Sequence, residues 1–195
     1  MPRTRTYTRS DLIKAAMEQF WVHGFYATSI RDLVAVTGVS RHSLYAEFDD
    51  KHGMFLAALE TYLDTFVEEA FGRVEEEAAS VSQIRDYFDY LIGLAEESGL
   101  PGPGCLMANS MVEVGPHEEA FKTLIQRHLH RLRAGFAQAL KTGQERGEVD
   151  PSVDAQRFAE FLTISAQGLW SASRMISDAA HLRAYVDTLL APLDP

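Results

Sequence analysis

The chain has 195 residues, about 1.3 times the ~150-residue yardstick for one domain, and its 46% hydrophobic, 24% charged composition is that of a globular protein. This excludes a disordered chain, and the single cysteine, Cys105, excludes an intramolecular disulfide and a cysteine-based zinc cluster. The net charge of -10 argues against a polyanion partner until it is divided: residues 1–51 hold seven Lys/Arg against six Asp/Glu (+1), the remainder 11 against 22 (-11). Arg3, Arg5 and Arg9 precede the first acid, so the charge pattern is that of a polyanion-facing head on an acidic body. The most apolar uncharged stretch, residues 161–173, carries Ser, Thr, Gln and Gly and falls short of the ~20 residues needed to cross a membrane. No apolar segment follows the N-terminal arginines as a secretion signal, so a cytoplasmic protein with no membrane partner is expected.

Apolar spacing is helical throughout and no alternating strand-like run occurs, which predicts an all-α fold. The first stripe, Leu12, Ile13, Ala16, Met17 and Phe20, ends at Gly24. A very short second helix carries Ile30, Leu33 and Val34, opens at Ser29 with Asp32 as a capping box, and closes at Gly38. Ser40 caps a third helix with Leu44, Tyr45 and Phe48, and Asp50 caps a long fourth with Phe55, Leu59, Tyr62, Phe66 and Ala70. Ile84, Phe88, Leu91 and Ala95 form a fifth stripe that stops at a Pro/Gly-dense stretch, residues 98–104, and the apolar pattern resumes with Cys105, Leu106 and Met107. Phe121, Leu124, His128, Leu132 and Phe136 mark a long helix; Phe158, Leu162, Ser165, Leu169 and Ala172 another; Leu182, Val186 and Leu189 the last. About nine helices result, with a head over residues 1–51 and a body over 52–195.

The short second and third helices with a glycine turn between them have helix-turn-helix spacing, whose second helix fits the B-DNA major groove. Here its N-terminal side chains are Ser40, Arg41, His42 and Ser43, all capable of hydrogen bonds to base edges. Spacing alone is equally compatible with ordinary packing. The segment GFYATSIRDLVAVTGVSRHSLYAEFDDKHGMF, with the preceding LIKAAMEQF, resembles the DNA-binding head of the TetR/AcrR family of transcriptional repressors over residues 9–56. It departs from the pattern at Glu47 and Gly53. The resemblance implies a homodimer that reads a palindromic double-stranded DNA operator and is released by a small-molecule effector. It implies base contacts from Arg41, His42 and Ser43, and phosphate contacts from Thr28, Tyr45 and Lys51, with Thr28 and Lys51 near helix N-termini that favour anions. Arg3, Arg5 and Arg9 fall in a variable arm that reaches DNA or is a solubilising tail.

The body resembles, through Gly104-Cys105-Leu106-Met107, Asn109 and Glu113, the Gly-Cys-Leu branch of that family, some of whose members sense electrophiles. At a helix start Cys105 is either a reactive thiol activated by the helix dipole or a small packing residue. Tyr62, Phe66, Phe88, Cys105, Met107, Met111, His128 and Trp170 are the candidate lining of a pocket for an apolar or electrophilic effector. Phe158, Phe161, Leu162, Ser165, Gly168, Leu169, Leu182, Val186 and Leu189 are the candidate dimer interface, with small residues for close four-helix packing. No cofactor is expected, and the histidines lack the helical spacing of a metal site. Neither Gly-x-Ser-x-Gly nor His-Glu-x-x-His occurs, so an enzyme is not expected. The rival reading is a helical ligand-binding or protein-interaction module without DNA binding.

Overall fold

The computed structural model describes residues 7–193, so Arg3 and Arg5 of the expected N-terminal arm lie outside the described residues. Within them the chain is all helix and loop: α1 (Arg9–His23), α2 (Ile30–Thr37), α3 (Arg41–Phe48), α4 (Lys51–Tyr62), α5 (Glu68–Phe71), α6 (Val81–Ser98), α7 (Leu106–Glu113), α8 (Glu119–Glu145), α9 (Ala155–Ala172) and α10 (Ala179–Leu190). A π-helical turn, Leu63–Val67, joins α4 and α5 into one rod, which a 3-10 turn, Gly72–Glu75, extends. Nine rods therefore stand among the described residues, as the apolar periodicity predicts.

Local chemistry sets the helix starts. At α2 the Ser29 hydroxyl accepts from Asp32 N–H (3.2 Å) while the Asp32 carboxylate accepts from Ser29 N–H (2.9 Å), the predicted reciprocal cap. The Ser29 hydroxyl, donating to the carboxylate at 2.6 Å, and then the Ser29 N–H hold the Asp32 carboxyl below the usual carboxylate range. Thr8 and Asp11 repeat the device at α1. The departure at Gly53 has a steric cause: a Cβ there would lie 2.1 Å from the Phe48 carbonyl oxygen.

Two aromatic clusters tie the rods together. Phe20 of α1, Phe25 of the following turn, Phe55 of α4 and Phe121 of α8 meet at centroid distances between 4.8 Å and 5.5 Å for their close pairs. This cluster joins the three N-terminal helices to the rest of the core. Lower in the body, Phe71, Tyr87, Phe88 and Phe136 form the second. Arg131 of α8 completes the lower body by pairing with both Glu68 and Glu75 of the α4–α5 rod.

The expected dimer interface is mostly interior. Leu162, Ser165, Leu169, Leu182, Val186 and Leu189 are buried inside the protomer, because the strongest apolar stripe of each helix faces α8 or α6. Phe158 is half-buried. Of the nine, Phe161 and Gly168 are exposed, and the structure adds Ile164, which is 63% exposed, and Tyr185.

Two glycines separate helix propensity from packing. A Cβ on Gly135, in α8, would meet the buried Phe71 ring at 2.7 Å, whereas one on Gly93, in α6, meets nothing within 4 Å. Gly93→Ala is expected to stabilise by up to ~1 kcal/mol through helix propensity. Gly135→Ala is expected to destabilise by about 1–3 kcal/mol because overpacking outweighs that gain. Urea denaturation of the two variants checks the opposite signs.

Candidate functional site

The first part of the site is α3. Gly38 takes the left-handed conformation (φ 68°) that the turn requires, and the Ser40 hydroxyl accepts from Ser43 N–H at 3.2 Å to start the helix. Ser40 and Ser43 also share a hydroxyl–hydroxyl bond of 3.0 Å, so both side chains help to form the helix start. Arg41 and His42 project into solvent beside them. One turn on, the half-buried Tyr45 carries the Arg41 guanidinium over its ring, 5.0 Å from the centroid. That cation–π contact restricts the arginine to fewer rotamers before any ligand arrives. Arg9 opens α1 and lies 4.9 Å from the Phe48 ring centroid, resting on the end of α3.

Two expected phosphate contacts are corrected. Thr28 is fully buried, and its hydroxyl donates to the Gly24 carbonyl at 2.7 Å. Lys51 turns inward: its ammonium donates to the carbonyls of Phe25 (3.0 Å) and Thr28 (3.1 Å) and sits 4.1 Å from the Phe25 ring centroid. It is a clamp from α4 onto the turn between α1 and α2. The open ends of that turn's backbone attract a cation more closely than a solvated phosphate does, which motif spacing cannot reveal.

A second clamp comes from far along the chain. The Glu113 carboxylate, at the end of α7, accepts from Phe25 N–H (3.0 Å) and Tyr26 N–H (2.8 Å). Gly24 (φ 84°) makes this approach feasible, since a Cβ there would lie 2.8 Å from both carboxylate oxygens. At the other end of α7, Trp21 Nε1 of α1 donates to the Gly104 carbonyl at 2.8 Å, and Asn109 Nδ2 holds the Pro103 carbonyl at 2.8 Å. Cys105, Asn109 and Glu113 are spaced four apart and lie on one face of the helical run. One short helix thus touches the N-terminal unit at both ends.

The third part is a cavity of about 360 Å³ beside α7. Tyr62, Phe66, Cys105, His128 and Trp170 line it, as expected. Phe88 and Met107 do not: both are wholly buried in core packing, with Phe88 stacked behind Trp170 at 6.4 Å. Met111 is also corrected, since it lines a separate, larger groove of about 810 Å³ on the surface of α8 and α9. Periodicity identifies an inward face but not which interior point that face meets. Trp21, Tyr87 and Gln167 are lining residues that the sequence reading missed. Gln167 was discernible as a polar residue in an apolar run. Trp21 lies off the α1 stripe; it forms edge contacts with Tyr62 and Phe66 at 5.1 Å and 5.2 Å. The π-helical turn falls at this wall, placing Phe66 and Val67 in the lining.

Among the described residues, no Asp, Glu, Lys or Arg side chain lines the cavity. Burial pushes the Tyr62 and Tyr87 phenols up, and it lowers His128 to about 4, with Arg131 adding to that shift. Burial likewise raises the Cys105 thiol, outweighing the Ala108 and Met107 backbone N–H groups that favour the thiolate. Of the two roles expected for Cys105, dipole activation gains no support: Cys105 heads α7, yet desolvation dominates even though the Tyr62 hydroxyl, donating to its sulfur at 3.6 Å, also favours the thiolate. At neutral pH every side chain facing the cavity is uncharged.

The Glu113 clamp is directly measurable. Removing a carboxylate that accepts two charge-assisted bonds, one from the N–H of buried Phe25, is expected to cost about 2–4 kcal/mol in Glu113→Ala. Urea denaturation reads this, and an unchanged stability would show that the clamp holds nothing.

Comparison with known proteins agrees with this anatomy. The family description "Bacterial regulatory proteins, tetR family" matches residues 12–58, and "Tetracyclin repressor-like, C-terminal domain" matches residues 80–189. The HTH-type transcriptional repressor ComR of Escherichia coli strain K12 is 36% identical over 174 residues, 88% of this chain and 82% of ComR. A TetR transcriptional regulator from Chloroflexus aurantiacus superposes with a TM-score of 0.81 at 24% identity, covering 94% of this chain and 92% of that one. A cysteine mutant of the TetR family regulator CifR, solved with 26-bp double-strand operator DNA, gives a TM-score of 0.84 at 22% identity, covering 99% of this chain and all of the other. With a helix-turn-helix at its N-terminus and a matching helical body behind it, this chain belongs to the TetR family of DNA-binding transcriptional regulators and is not an enzyme.

Proposed function

We propose that the protein is a homodimeric transcriptional repressor that binds a palindromic operator and leaves it when a small molecule fills the cavity of each protomer. Residues 1–51 read DNA, and residues 52–195 hold the effector and the partner protomer. The observation that carries this reading is α7, which forms part of the cavity wall at Cys105 and grips the DNA-binding unit at Glu113. A ligand that displaces the Cys105 end of so short a helix shifts the carboxylate at the other end. Trp21 adds a direct path, being at once a residue of α1 and a wall of the cavity. The name of ComR supports repression as the sign of regulation. Acting on bacterial operator DNA places the protein in the cytoplasm.

On DNA, Arg41 and His42 at the start of α3 read base edges, with Ser43 beside them, and Tyr45 stacks behind Arg41. Arg41→Ala is expected to lose about 1–3 kcal/mol of binding at particular base pairs while random-duplex binding stays nearly constant. Gel shifts on operators selected from a random duplex pool measure this. Equal losses on both duplexes would sink the base-reading role and favour an interaction module without sequence-specific DNA binding.

The partner protomer docks on the outward strip of α9, namely Phe161, Ile164 and Gly168, extended by Tyr185 of α10. Two exposed large apolar residues one turn apart are uncommon on a monomer's surface, and Gly168 lets a second helix approach closely. Ile164→Glu is expected to yield helical monomers that lose operator binding, read by sedimentation and circular dichroism. Dimers that survive this change place the interface elsewhere.

A further inference from the structure

Among the described residues, two buried side-chain polar atoms have no hydrogen-bond partner, His128 Nδ1 and Gln167 Oε1. Both residues line the same cavity, and both are at least nine-tenths buried, at 4% and 5% exposure. Buried polar groups are ordinarily paired, so two orphans at one apolar cavity mark a polar pole awaiting a partner. Gln167 also borders the α8–α9 groove, whereas His128 lines only the cavity.

We infer that the cavity takes an uncharged, largely apolar molecule carrying one hydroxyl or amide, which donates to Gln167 Oε1 and accepts from His128 Nδ1–H. This deepens the ligand-responsive reading proposed above and rests on it. The absence of any charged lining side chain sets the first property: a carboxylate or ammonium would leave water with no counter-charge. Gln167 Oε1 sets the second, since a carbonyl oxygen accepts only and must be met by a donor. A hydroxyl whose one proton goes to Gln167 Oε1 keeps its lone pairs free, so it accepts from the neutral imidazole in the tautomer that carries the proton on Nδ1. Burial holds His128 neutral through the physiological range, as its value of about 4 implies. Size sets the third property. A cavity of ~150 Å³ holds benzene, so one of about 360 Å³ accommodates a ring with a short chain. The ring would lie among Trp21, Tyr62 and Trp170.

The chain's two tryptophans, Trp21 and Trp170, both line the cavity, so their quenching reports occupancy without a label. The probes are phenylbutanol, its methyl ether and phenylbutyrate, which share a body and differ in donor and charge. Phenylbutanol is expected to bind about tenfold tighter than the ether, and phenylbutyrate at least about tenfold weaker than the alcohol. Gln167→Met and His128→Phe, prepared separately, are expected to fold and to reduce the alcohol's advantage over the ether to about twofold or less. Equal binding of alcohol and ether to the wild type overturns the inference, as does no binding of any probe or an alcohol preference that survives both variants. A gel shift run alongside keeps the two claims apart. Alcohol-selective binding that leaves operator affinity unchanged sinks the release mechanism while the chemistry of the cavity stands.

Discussion

The backbone N–H groups of Phe25 and Tyr26 point out of the turn that follows α1, and the Glu113 carboxylate from α7 accepts both. From the opposite side, the carbonyls of Phe25 and Thr28 are held by the Lys51 ammonium of α4. The turn is therefore a junction whose donors go to an anion and whose acceptors go to a cation, each from a different helix. Everything downstream inherits its position from that junction. α2 begins two residues after Thr28, α3 follows across Gly38, and the exposed start of α3 is where Arg41 and His42 stand. The aromatic cluster of Phe20, Phe25, Phe55 and Phe121 supplies burial around the junction, but burial is non-directional, and the charge-assisted bonds from Glu113 and Lys51 to the backbone fix orientation.

Much of this was legible in the sequence because it depends on local chemistry. The reciprocal cap at Ser29 and Asp32, the cap at Ser40, the left-handed turn at Gly38 and the rods of the body follow from short-range rules of spacing and backbone. Cys105 and Trp170 at the cavity follow from inward periodicity. What escaped is what depends on where two distant segments meet. Lys51 resembles a phosphate ligand in sequence, yet its side chain reaches two carbonyls 23 and 26 residues away. Val186 and Leu182 look suited to a partner protomer because their stripe is apolar, and they are inward for the same reason. The face of α9 that is left over, carrying Ile164, does not advertise itself by periodicity at all.

Cys105 shows how two opposing effects are settled by magnitude. Its place at the head of α7 exposes the sulfur to backbone N–H groups that favour the thiolate, an influence that fades within a turn. Burial among largely apolar neighbours disfavours the charged form more strongly, as it does for the Tyr62 and Tyr87 phenols. The cavity is thus electrically quiet although it contains four groups able to ionise.

Gly24 and Glu113 are bound together in a way that reaches beyond this one molecule. Any side chain at position 24 meets the carboxylate and strains a backbone held at φ 84°, while a shorter residue at position 113 strands the N–H groups of Phe25 and Tyr26. Neither position can drift alone. Their mutational effects are expected to be epistatic, the harm of a first change at Gly24 being smaller once Glu113 has been lost. Two residues 89 apart in the chain thus form a single heritable unit, and the DNA-reading part of the protein evolves under a constraint written in its ligand-binding part.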